Sequence, residues 1–177
     1  MLSFEDYPSI EEIKKEKEIL HQEGIKKIEY LKKIRADLDK LRSQYDDEIL
    51  NNQLSIKIKK LEDELANTIA NLAKIDTALK ILDATEYILE NNIFGDKWGI
   101  ITSKIKFEEL MDIIVDENFD LARIYKKLYD LAGINDKKIL KKIENLNQEL
   151  LDEPKEEHLE KNDSIVDRTK NIKKFLR

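Results

Sequence analysis

The chain has 177 residues, 40% charged and 41% hydrophobic, with four glycines, two prolines and no cysteine. Lack of cysteine excludes disulfides, thiolate catalysis and cysteine-based zinc sites. A net charge of -6 argues against a uniformly basic nucleic-acid surface while leaving room for a local one.

The start, residues 1–8, reads as an acidic lead-in without the apolar core of a signal peptide. Nowhere does an apolar run approach the roughly 20 residues that span a bilayer, so a cytoplasmic protein is expected. Ser9-Ile-Glu-Glu12 then has the capping-box pattern: the Ser9 hydroxyl accepts from the Glu12 amide while Glu12 reaches back. A helix is therefore expected to begin there, with Ile13 packing on Tyr7 and Pro8.

From Ser9 to Asn92 there is no proline and a single glycine, Gly24, and apolar residues return every three or four positions. Residues 9–94 are read as one long coiled-coil region. Its first seam is Leu31, Ile34, Leu38, Leu41 and Tyr45, and its second is Ile58, Leu61, Leu65, Thr68, Leu72, Ile75, Leu79, Leu82, Glu86 and Leu89. Thr68 and Glu86 are the polar interruptions, where leucine would stabilise more. The two registers do not join: Leu50, Leu54 and Ile58 are each four apart, which is a stutter or the approach to a turn near 48–53. Because no glycine or proline marks that turn, a continuous helix of about 125 Å is favoured over a hairpin with arms of about 60 Å. Either way the stripe needs an opposing helix, from the same chain, another copy or a different helical protein.

Residues 95–152 read as a small helical domain. Gly95 is expected as the cap of the long helix, Gly99 as a tight turn, and Ile100 to Phe107 as a short extended passage. Phe94 and Trp98 are expected to plug the end of the helical core, with a partner-binding anchor as the alternative. Three short helices follow: Phe107–Val115, a second from Phe119 to Ala132 capped by Asn118, and a third starting at Asn135 and closed by Pro154. Gly133 is expected as a left-handed cap, with Ile134 packing back. Charge is segregated here. Glu108 to Asp120 holds six acidic residues and no basic one, while Arg123 to Lys142 holds seven basic residues against Asp130 and Asp136.

Residues 153–163 read as a solvated linker. Residues 164–177 form a basic amphipathic segment with Arg168, Lys170, Lys173, Lys174 and Phe175, expected as the final helix of the fold or as a docking peptide or membrane-surface helix.

No metalloprotease helix, phosphate-cradling glycine loop or calcium loop is present, so neither enzyme activity nor a cofactor or metal is expected. The leading expectation is a non-enzymatic coiled-coil assembly protein. It would self-associate through the 31–89 seam and bind a protein partner through its end domain or tail. The rival is a nucleic-acid-binding regulator dimerised by the long helix, with Arg123, Lys137, Lys138, Lys141 and Lys142 on backbone phosphate.

Overall fold

A computed structural model of the chain describes residues 2, 4, 6–46 and 52–152, without the side chains of 45, 46 and 150–152. The linker at 153–163, the basic segment at 164–177 and the side chain of Tyr45 thus lie outside the described residues. What is described is all-helical. The elements are α1 (Ile10–Asp46), α2 (Asn52–Glu90), a 3-10 turn (Gly95–Lys97), α3 (Trp98–Lys104), α4 (Phe107–Asp116), α5 (Leu121–Ala132) and α6 (Lys137–Asp152).

The capping box forms as expected. The Ser9 amide donates to Glu12 Oε2 at 2.7 Å, and the Glu12 amide donates to Ser9 Oγ at 3.2 Å. The continuous helix does not: the long segment is two helices that pack together, α1 ending at Asp46 and α2 starting at Asn52. The change of helix falls where the two seam registers fail to join; residues 47–51 lie outside the described residues.

The chain divides into two compact units, Glu18–Thr77 and Met1–Lys17 together with Ala78–Arg177, so both long helices contribute to each. The division falls inside α1 and α2 rather than at the Gly95 break.

In the Glu18–Thr77 unit the helices run antiparallel. Tyr30 Oη donates to Glu64 Oε2 at 3.1 Å, and Arg42 Nη2 pairs with Glu62 Oε1 at 2.9 Å. Rising numbers on α1 meet falling numbers on α2. Leu31, Ile34, Leu38, Leu72 and Ile75 are buried.

The other unit holds the larger core. Ile101, Leu110, Ile114, Ile124, Tyr125 and Leu128 are fully enclosed, with Phe94 close behind. Aromatic rings fill one side of it: Tyr7 meets Trp98 and Phe107 edge-on at 5.6 and 5.5 Å, and Phe94 stacks on Trp98 at 6.4 Å. Tyr7 is also tied by its hydroxyl, which donates to the Ile105 carbonyl at 2.7 Å.

Three local expectations are corrected here. Gly95 does not cap the long helix, which stops at Glu90; with φ +54 it opens the 3-10 turn. The expected extended passage is helix α3, and Gly99 lies inside it, because helical phase sends both Ile101 and Ile105 into the core. Only Ile105 and Lys106 are extended. Finally, Asn118 is not the cap of α5. Asn118 and Phe119 take left-handed φ of 52 and 60 while the Phe119 amide donates to the Ile114 carbonyl, closing α4. Asp120 Oδ1 caps α5 by accepting from the Arg123 amide at 3.2 Å.

The Gly133 expectation holds. Its φ is +64, its amide donates to the Asp130 carbonyl, the Ile134 amide donates to Tyr129, and Ile134 is buried. Lys104 Nζ adds a bond to the last carbonyl of α5, at Ala132, of 2.8 Å.

Candidate interaction surfaces

The seam residues divide into two groups. Leu31, Ile34, Leu38, Leu72, Ile75, Leu79 and Leu82 are buried within the chain. Leu41, Ile58, Leu61, Leu65 and Leu89 are only half-buried. In the Glu18–Thr77 unit the half-covered group is joined by Leu54, on the same helical phase as buried Leu72, while Ile56, 68% exposed, lies on the opposite face of α2.

The polar interruptions have different explanations. Thr68 is buried because its hydroxyl donates to its own helix, at Glu64 O, 2.8 Å away. Glu86 is met by a cation from α1: Lys17 Nζ lies 2.8 Å from Glu86 Oε2 and 2.6 Å from Asp83 Oδ1. Lys14 adds longer contacts to Glu86 and Glu90. Burial alone would lower the Lys17 pKa, but hydrogen bonds to Asp83 and Glu86 outweigh it and hold the ammonium above its usual value. Sequence reasoning passed over Lys17. Its signal was two cations three apart, Lys14 and Lys17, matching Asp83, Glu86 and Glu90 at helical spacing on the facing helix.

Phe94 is enclosed in the core and Trp98 half-buried beside it, the packing role expected of them. Arg168, Lys170, Lys173, Lys174 and Phe175 lie outside the described residues.

The basic residues fall on the exposed surface of α5 and α6, which pack together. Arg123 turns back to Asp120 at 3.9 Å. Lys126, Lys127, Lys137, Lys138, Lys141 and Lys142 are exposed and make no ion pair among the described residues. Asp136, the acid beside Lys137 in sequence, is engaged elsewhere. A hydrogen bond from Lys97 and another from the Lys138 amide hold its carboxyl below the usual range.

Beside this surface is a groove of about 310 Å³. One wall is the end of α2 and the turn after it, with Tyr87, Asn91, Asn92 and Ile93. The other is α6, with Lys142, Asn145, Leu146 and Glu149. Asn91 and Asn92 are held by hydrogen bonds that their Nδ2 atoms donate to the Tyr87 and Gly95 carbonyls. Sequence reasoning had Lys142 as a phosphate contact and missed the groove, since its walls are about 50 residues or more apart in the chain.

"Uncharacterized protein MJ0948" of Methanocaldococcus jannaschii is 37% identical to this chain over 173 residues, which is 96% of this chain and 87% of that protein. The chain belongs to that protein's family. So little of this chain falls outside the shared span that the long helices and the end bundle both lie within it. No family model matches the sequence, and no solved structure matches it. Among the described residues no helix is long and apolar enough to cross a membrane, and no three His, Asp or Glu side chains gather as metal ligands would.

Proposed function

We propose that this is a non-enzymatic assembly protein that pairs with a second copy of itself through the half-covered stripe of the Glu18–Thr77 unit, leaving its end domain to engage another partner. The observation that carries this is the uneven coverage of the seam. Leu72 and Ile75 are buried, whereas Leu54, Ile58, Leu61 and Leu65 on the same face are half-covered. Completing the burial of each gains about 0.5 kcal/mol, a fraction of what removing a fully exposed aliphatic side chain from water gives. A second hairpin is the simplest surface of matching periodicity, since two antiparallel pairs make a four-helix arrangement.

Charge supports a self-complementary contact. On α2, Lys57, Lys59 and Lys60 precede Glu62, Asp63 and Glu64. Two copies related by a two-fold axis near Leu61 would set each basic cluster against the other's acidic cluster, as an isologous interface requires. Rim charges of this kind set orientation more than affinity.

Sedimentation velocity tests the proposal. The wild type should dimerise at micromolar concentration. Leu54→Asp with Ile58→Asp should raise the dissociation constant at least about a hundredfold while leaving most of the helical signal. A wild-type protein that stays monomeric at several hundred micromolar would overturn it, as would a dimer indifferent to both substitutions. A partner of different sequence would show instead as a stable complex formed only on mixing.

A further inference from the structure

The groove between the end of α2 and α6 lies beside lysines that make no ion pair among the described residues, and we infer that together they bind single-stranded nucleic acid, an unpaired base entering the groove while α6 holds the backbone. This goes beyond self-association and rests on separate residues.

Lys138, Lys142, Asn145 and Glu149 follow one another at four, three and four residues, so they share one face of α6. Lys142, Asn145 and Glu149 line the groove, and Lys138 continues the same stripe beyond it. Lys138 and Lys142 are about 6 Å apart along the helix, the scale of neighbouring phosphates on an extended strand. Lys126, Lys127, Lys137 and Lys141 thicken the positive field around them, without ion pairs among the described residues.

The groove's chemistry selects a base. Asn91 and Asn92 commit their Nδ2 atoms to backbone carbonyls, which leaves each Oδ1 as an acceptor for amino groups on a base edge. Asn145 makes no hydrogen bond among the described residues and offers both a donor and an acceptor, the pair that reads a base bidentately. The lining is mainly polar, with Ile93 and Tyr87 adding a small apolar contact at its side, so hydrogen bonds rather than stacking would hold the base. Glu149 accepts from amino groups and repels carboxylates, so an acidic peptide suits the lysines but not the groove.

Duplex is disfavoured. The start of α5, the natural element for groove entry, is capped by Asp120, which also draws Arg123 back. A concave site of about 310 Å³ accepts a splayed base, not a stacked pair.

Fluorescence anisotropy with the whole chain decides it, using labelled mixed-sequence 12-mers of single-stranded RNA and DNA, the same sequence as duplex, and poly-glutamate. Single strands should bind at least about tenfold tighter than duplex, and ever more weakly as salt rises. Lys138→Glu with Lys142→Glu should lower the log–log salt slope by about 1.4, two phosphate contacts at 0.7 each. Asn145→Ala should weaken binding about tenfold with the slope unchanged, and Asn145→Asp, which keeps the side-chain shape, should also weaken it. All these positions are exposed, so melting should not move. Failure of every strand to bind at 50 mM salt would overturn the inference. So would equal binding of duplex, equal binding of poly-glutamate, or indifference to both Asn145 variants.

Discussion

Replacing Lys17 with methionine keeps most of the apolar stem and removes the ammonium, with both its charge and its hydrogen-bond donors. In the unit that contains it, Lys17 is 24% exposed and Glu86 15%, while Asp83 is 41% exposed. A hydrogen bond to a charged group in such partial burial contributes about 1.5 kcal/mol, and the more exposed Asp83 contact about 0.5 kcal/mol. Methionine packs its stem much as lysine does and recovers little of this. Lys17→Met should therefore destabilise by about 2 kcal/mol, a fall in Tm of roughly 4–8 °C for a chain of this size. Lys14→Met is the control: Lys14 is 59% exposed with contacts of 3.6 and 3.9 Å, and its loss should stay within about 0.5 kcal/mol. Urea denaturation followed by circular dichroism measures both. A cycle with Glu86→Gln should return a coupling of about 1 kcal/mol between positions 17 and 86. The pH dependence has a definite sign. The folded Lys17 pKa is raised above 10.5, so its stabilisation is whole below that value and disappears as pH climbs through the folded pKa. Equal stability of Lys17→Met and Lys14→Met, or no coupling with Glu86, would refute the assignment of Lys17 as the residue that accommodates a carboxylate in the seam.

Three other perturbations test the end bundle. The Tyr125 hydroxyl is buried without a hydrogen-bond partner among the described residues, so Tyr125→Phe should leave stability unchanged or raise it by about 1 kcal/mol; a clear loss in urea denaturation would mean that the hydroxyl has a partner. Burial, with a smaller contribution from Glu109, pushes the Tyr7 phenol up to about 12. Its proton is therefore released from the unfolded chain first, and stability should decline from about pH 10 to pH 12, with Tyr7→Phe flattening that decline in alkaline melts. Gly133→Ala should cost about 1 kcal/mol, because φ is +64 and the nearest atom to an added Cβ is the flexible Lys104 Nζ at 3.8 Å. Strain rather than collision sets that cost, so Gly133→Asn should lose less than alanine in the same thermal melt.

What could be read in the end bundle was local chemistry that needs no distant partner. Ser9 and Glu12 close a capping box within four residues, and Gly133 with Ile134 completes a left-handed cap within six. Both were legible for that reason. The cap of α5 fell two residues from the expected place because Asn118 and Asp120 are both competent caps, and the choice depends on Phe119 closing α4 against Ile114. Helix α3 was missed because Gly99, Thr102 and Ser103 lower helix propensity. Its stability comes instead from Ile101 and Ile105 entering a core built by other elements. The groove was least legible, since Asn91 and Asn145 acquire joint meaning only once α6 is laid beside the end of α2.

The long segment shows a deeper ambiguity. A seam such as Leu31–Leu38 specifies that an opposing helix exists, and it says nothing of which chain supplies it. A continuous rod paired with a second copy and a hairpin folded on itself bury the same residues at the same spacing, so periodicity cannot separate them. What separates them is the set of charges beside the stripe. Lys14 and Lys17 find Asp83, Glu86 and Glu90 only if the chain returns upon itself, and Arg42 finds Glu62 on the same condition. Those matches could have been sought in the sequence by laying it antiparallel against itself. The half-covered residues from Leu54 to Leu65 are then the excess that the fold-back leaves. Leu54, Ile58, Leu61 and Leu65 keep the helical phase of Leu72, so the seam runs on beyond the stretch that the chain encloses, and the second copy proposed above is what would complete its cover.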